Sequence, residues 1–132
     1  ITLTSPSSAQ IPVTVGGYQV SDKGLYIDSG RGFTVSSVIK PDFVAPAVNV
    51  QGVGVRDNYV TASGTSVAAA VTAGACAQIM EWGIYRQENL ALNSVEIGNL
   101  LIHGCDRSRD LVYPNTAWGY GRLDAYQAIL AL

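Results

Sequence analysis

The chain has 132 residues, a net charge of −2 and only 14% charged side chains against 48% hydrophobic ones. A chain of that size buries on the order of two thirds of its extended surface, enough for a sizeable core. Its scattered Lys and Arg form no basic stripe, so no nucleic-acid partner is expected.

The opening stretch ITLTSPSSAQ is Ser/Thr-rich and predicts an extended lead-in with a turn at Pro6. Pro12-Val13-Thr14-Val15 predicts a short strand that stops at Gly16-Gly17. Leu25-Tyr26-Ile27 predicts a second, edge strand after the Asp22-Lys23-Gly24 turn. Ser29-Gly30-Arg31-Gly32 is a loop. Asp42 to Ala45 predicts a buried strand ended by Pro46, Val48 to Val53 a further short strand, and Tyr59-Val60-Thr61 leads into the corner Ser63-Gly64-Thr65-Ser66.

The helix that follows is the most informative element. From Val67 to Trp82 its only polar side chains are Thr72, Gln78 and Glu81, and a helix apolar nearly all round belongs in the centre of a domain. The first turn of a helix carries unpaired N–H groups and a partial positive charge. Ser66 therefore sits where an oxyanion would be stabilised, with a hydroxyl and a backbone donor on one short segment, as acyl transfer needs. The plainer reading of Ser66 is a helix cap, a position where Ser is preferred. Gly64 lets the backbone take a sharp corner, and Thr65 is expected to hydrogen-bond locally.

No charge falls between Asp57 and Glu81, a run long enough to raise a membrane span. Asn58, Thr61, Ser63, Thr65, Ser66, Thr72 and Gln78 interrupt it, and the remainder is largely Ala and Gly, so no span is expected. Cys76 falls in this apolar helix and reads as a free buried thiol. Two cysteines define no disulfide framework, and whether Cys76 and Cys105 pair is not legible here.

Tyr85 to Leu92 is a connector. Asn93-Ser94 caps a second helix with Glu96 in its first turn and Ile97, Leu100 and Leu101 on one face, ended by His103-Gly104-Cys105. Arg107-Ser108-Arg109-Asp110 is a solvated loop, and Leu111 to Asn115 another. A last helix runs from about Asp124 to Ala131 with Asp124 as cap. Strands alternating with helices imply an α/β layer architecture.

Three ordered blocks carry a family resemblance. Ser63-Gly64-Thr65-Ser66-Val67-Ala68-Ala69-Ala70 resembles the nucleophile motif of the subtilisin-like serine peptidases, the subtilases. Ile39-Lys40-Pro41-Asp42-Phe43-Val44-Ala45-Pro46 is similar to the strand and turn that precede it in that family, and Trp118-Gly119-Tyr120-Gly121-Arg122-Leu123-Asp124-Ala125 to its closing element. The resemblance covers roughly residues 11 to 132 and includes a segment similar to S-x-R-G-x-T at Ser29 to Thr34, which supports a packed corner at Phe33-Thr34. The chain departs from the family at Ala47, Val67 and Ala70, where Gly, Met and Pro are usual. None of these side chains exchanges protons, and the departures resemble the branch of the clostridial Csp-type germination proteases.

The resemblance implies part of a three-layer α/β domain, a mostly parallel sheet flanked by helices, with the N-terminal portion absent. Residues 1–132 would then be the C-terminal segment of a subtilase catalytic domain. It implies a serine-type endopeptidase acting on peptides or proteins through an acyl-enzyme on Ser66, with an upstream Asp, His and oxyanion Asn. Thr61, Ala62 and Ser63 would border the leaving-group side of the cleft. An extracellular, cell-envelope or spore-associated location is the family's expectation, and the rival reading is a catalytically dead subtilase-fold protein that works as a binding or regulatory partner. The only histidine, His103, lies downstream of Ser66. Without a base a serine hydroxyl is a poor nucleophile, and the missing Asn donor would be worth about 3 kcal/mol, a magnitude taken from a subtilisin. The chain alone should therefore be inactive. Pairing Ser66 with His103 and Asp106 would want an acid before the histidine and more sheet than this chain supplies.

Composition points the same way, because soluble domains carry about 25% charged residues. Some faces are expected to be covered by an N-terminal part of the same domain, and the isolated chain to self-associate through them. Asp42 could cap a turn or help hold a cation. A calcium ion takes about six to eight oxygens, so the turn is favoured. No cofactor is expected, a structural cation in a full-length protein aside.

Overall fold

The computed structural model describes residues 2–86 and 91–132. Its elements in chain order are β1 (Val15–Tyr18), β2 (Gly32–Phe33), β3 (Ile39–Lys40), β4 (Phe43–Pro46), β5 (Val50–Val53), β6 (Tyr59–Ala62), α1 (Thr65–Met80), α2 (Ser94–Gly104) and α3 (Ala125–Leu130). A π-helical turn, Glu81–Tyr85, continues α1.

The strand β4 organises the fold. It pairs in parallel with β1, from Val15 opposite Phe43 to Tyr18 opposite Pro46. On its other edge, Val44 donates to the Gly121 carbonyl at 2.9 Å and accepts from the Leu123 N–H at 2.8 Å. Phe43, Val44 and Ala45 are fully buried, which explains why this strand is a continuous apolar run rather than an alternating one. Phe43 joins Ala75 and Ile79 of α1, Leu101 and Cys105 at the end of α2, and Ala128 of α3 in one core. Ala45, Ala47 and Ala68 form a smaller cluster. The start of α1 therefore packs at the carboxyl end of β4. Burying a side chain of the size of Phe43, Ile79 or Leu101 contributes roughly 2–3 kcal/mol.

The α2 cap is as expected. Asn93 accepts the N–H groups of Val95 and Glu96 while the Glu96 carboxylate accepts the Asn93 N–H, a reciprocal capping box. Asp124 caps α3 by accepting the Gln127 N–H at 3.0 Å. The lead-in turns at Pro6 through the Ser7 and Ala9 N–H groups.

Several expectations fail, each for a physical reason. The first strand is Val15–Tyr18 rather than Pro12–Val15. Gly16 and Gly17 lie inside it because a Cβ on Gly17 would come 2.5 Å from the Ala47 Cβ, so the glycines mark close packing, not a stop. Leu25 to Ile27 forms no strand; Leu25 contributes a single bridge to Tyr18. Only half of the corner at 33–34 is packed: Thr34 is buried and Phe33 is half exposed. The expected connector from Tyr85 to Leu92 begins inside the π-helical turn, and residues 87–90 lie outside the described residues.

The main correction concerns α1. Only Ala68, Thr72, Ala75 and Ile79 are buried, a stripe at spacings of three and four, while Ala69, Ala70, Ala73, Gly74 and Ala77 on other faces are exposed. Uniform apolarity thus reports an exposed apolar face here, not burial all round. By length and composition the stretch Thr65–Tyr85 could cross a membrane; its buried stripe packs against β1, β4 and α3. Cys76 is correspondingly half-buried, Cys105 is buried, and both are free thiols.

A candidate active site at the start of helix α1

β5 and β6 form an antiparallel hairpin, from Val50 opposite Ala62 to Val53 opposite Tyr59. It delivers the chain to the corner that begins α1. Gly64 is the N-cap with φ 146° and ψ 159°, a conformation few L-residues adopt, and no side chain among the described residues caps the helix. Ser66 is therefore inside the first turn, not at the cap, and the capping reading of this residue is overturned.

Ser66 is exposed, and its hydroxyl has no hydrogen-bond partner among the described residues. The Thr65 hydroxyl has none either, contrary to the expected local bond. The N–H groups of Val67 and Ala68 both go to the Gly64 carbonyl, at 3.0 and 3.3 Å, whereas those of Thr65 and Ser66 find no acceptor among the described residues. Two free donors at the positive end of a 16-residue helix, beside a free hydroxyl, make a site suited to an anionic oxygen.

The corner is held from outside by the Ala47–Asn49 turn. Gly64 donates to the Ala47 carbonyl at 2.8 Å, and the Asn49 N–H donates to the Ser63 hydroxyl at 2.8 Å. Ala47 is fully buried and donates its own N–H to the Tyr18 carbonyl at 2.9 Å. This latch escaped the sequence reading. The sole hint was an Asn at position 49, a residue tolerant of the left-handed backbone it adopts, φ 51°.

The other candidates fall elsewhere. His103 is exposed in the last turn of α2, lining two cavities of about 540 and 330 Å³ with residues of α2, α3 and the segment between them; Ser66 lines neither. Asp106 is held by Arg122 at 2.5 Å. The Ser66–His103–Asp106 grouping is therefore not assembled. Asp42 neither caps a turn with its side chain nor stands free for a cation. Its carboxylate accepts the buried Lys40 ammonium at 2.6 Å and the Thr14 N–H at 2.7 Å, and Lys40 also donates to the Pro12 carbonyl at 3.0 Å. Arg107, expected in a solvated loop, remains exposed but donates to the Ile102 and Tyr120 carbonyls. Burial pushes the Cys105 thiol up to about 12 and raises that of Cys76 as well, so neither supplies a thiolate near neutral pH. Among the described residues no group of three His, Cys, Asp or Glu could hold a metal ion.

Comparison with known proteins places the fold. The Subtilase family (Peptidase_S8) matches residues 2–121. The serine protease AprX of Bacillus subtilis (strain 168) is 30% identical over 148 residues, covering 97% of this chain and 32% of AprX. The CspB protease of Clostridium perfringens superposes with TM-score 0.91 at 35% identity, over 98% of this chain and 28% of CspB. PagA, a prenylagaramide maturation protease, shares the fold at TM-score 0.78 and 21% identity, over 97% of this chain and 45% of its own. The chain thus spans about a third or less of the proteases AprX and CspB. With the parallel β1–β4 pair, the helix packed on it and a serine in that helix's first turn, the chain belongs to the subtilase family of serine peptidases.

Proposed function

We propose that this chain is the C-terminal segment of a subtilase catalytic domain and supplies the nucleophile, Ser66, of a serine endopeptidase. The observation that carries the reading is the exposed Ser66 hydroxyl, free of partners among the described residues, beside its own unpaired N–H at the N-terminus of α1. The hydroxyl oxygen attacks the scissile carbonyl of a peptide or protein substrate, and its proton passes to a histidine outside this sequence. An aspartate, also outside it, orients that histidine. The carbonyl oxygen becomes the oxyanion, stabilised by the Ser66 N–H and a second donor from an Asn of the same absent portion. As the intermediate collapses the C–N bond breaks and the histidinium returns its proton to the leaving amine, which leaves an acyl group on Ser66 as an ester that water then hydrolyses.

The exposed small residues Ala69, Ala70, Ala73, Gly74 and Ala77 of α1 offer the face on which the rest of that domain packs. The isolated chain, with this face uncovered, self-associates and does not hydrolyse peptides. Labelling of the full-length protein with a fluorophosphonate tests the reading. Wild type should be modified on Ser66, and Ser66→Ala should lose both labelling and proteolysis. Modification of another residue, or full proteolysis by Ser66→Ala, would reject it. A full-length protein that neither labels nor cleaves would instead be the catalytically dead binding or regulatory relative.

A further inference from the structure

We propose that Ser63 is a positioning residue for Ser66, its hydroxyl holding the nucleophile corner in register with the Ala47–Asn49 turn. The inference rests on Ser66 being the nucleophile, and it adds a role for a side chain three residues before it.

The backbone ladder of the hairpin ends at Val50 opposite Ala62. Beyond that pair the regular pairing stops, and Asn49 adopts a left-handed conformation, φ 51°. The Ser63 hydroxyl accepts the Asn49 N–H at 2.8 Å, substituting for the missing backbone acceptor. One residue later Gly64 donates to the Ala47 carbonyl at 2.8 Å. A single bond fixes a point and leaves rotation about it. That freedom matters here, since Gly64, at φ 146°, has no Cβ to restrict the swing of the following Thr65-Ser66 turn. Two adjacent bonds fix an orientation. Their anchor is rigid: Ala47 is fully buried and tied to β1 through Tyr18. Ser63 thus transmits the position of the parallel sheet to the first turn of α1 without touching the reacting atoms.

Such a role should appear in the acylation step. Removing one neutral hydrogen bond changes an equilibrium by about fivefold, and misplacing a nucleophile by about 1 Å changes a rate by about a hundredfold, so a five- to fiftyfold slower acylation is expected. The experiment compares Ser63→Thr with Ser63→Val in the full-length protein. These side chains are nearly isosteric, and only threonine retains the acceptor. A fluorophosphonate is the probe because its leaving group is fluoride, so no residue beyond the scissile bond contacts the enzyme. Expected results are near-wild-type labelling for Ser63→Thr, five- to fiftyfold slower labelling for Ser63→Val, and lowered kcat at similar KM for peptides. Equal labelling rates for the two variants would overturn the inference. So would a defect confined to peptides extended past the scissile bond, which would make Ser63 a substrate contact. Ser66→Ala is run beside them: persistent labelling there rejects the nucleophile itself, whereas a dead Ser66→Ala with a normal Ser63→Val rejects only the positioning role.

Discussion

Replacing Gly119 by alanine isolates the reason the closing motif needs its glycine. Gly119 sits at φ 56°, and a Cβ there would lie 2.3 Å from the carbonyl oxygens of both Asp42 and Pro41. Ordinary contact begins near 3.4 Å, so these atoms must separate by about an ångström. Neither side yields easily. The Asp42 carbonyl accepts the Tyr120 N–H at 2.7 Å, and Phe43, the next residue, is fully buried. Left-handed backbone at a non-glycine residue costs about 1–2 kcal/mol, the displaced hydrogen bond about 1, and overpacking about 1–3, giving roughly 3–6 kcal/mol in all. Gly52, in the exposed hairpin with nothing within 4 Å of a Cβ, is the comparison. Gly52→Ala should be neutral or stabilise by up to about 1 kcal/mol. Urea unfolding of the full-length variants, with the slope of free energy against denaturant unchanged, measures both. A Gly119→Ala protein within about 0.5 kcal/mol of wild type, or a Gly52→Ala protein equally damaged, would refute the reasoning.

Ile79→Ala, which empties a site among Phe43, Leu101 and Ala128, should cost about 2–5 kcal/mol by the same measurement. Lys40→Met leaves the Asp42 carboxylate part-buried without its ammonium and should destabilise by about 3 kcal/mol, while the double variant Lys40→Met/Asp42→Asn should recover part of that loss in a mutant cycle. Cys105 should resist alkylation by iodoacetamide in the native protein at pH 8, with Cys76 the faster of the two; equal rates would contradict the burial of Cys105. The same thiol links stability to alkaline pH. Its folded-state value, about 12, lies above the unfolded 9.0, so between those values the folded state binds more protons and stability falls as pH rises. Cys105→Ala should flatten the pH dependence of unfolding in that window.

Local chemistry with a short reach was legible in the sequence. The Asn93 and Asp124 caps and the β4 strand are set by residues within a few positions of one another, whereas the pairing of β5 with β6 was not read from the sequence. The early strand was misplaced because Gly16 and Gly17 look like a stop when read locally. Their reason, the Ala47 and Ser29 side chains against them, comes from elsewhere in the chain. Asp42 was open between a turn and a cation for a related cause: its partner Lys40 is two residues away, but Thr14 and the Pro12 carbonyl that complete the arrangement come from elsewhere in the chain.

The sequence by itself determined that α1 exists, that it is apolar, and that a serine stands at its start, because the uninterrupted apolar run and the Gly-Thr-Ser corner are local facts. It could not say which side of α1 is buried, since a helix apolar nearly all round has no polar face to orient it. That choice was made by packing: Phe43 and Ala45 of the central strand select the stripe Ala68, Thr72, Ala75 and Ile79. The opposite face remains exposed, and Ser66 is placed at the carboxyl end of the sheet. The Ser63–Asn49 bond is decided at the same level, because two residues fourteen positions apart are brought to 2.8 Å by strand pairing.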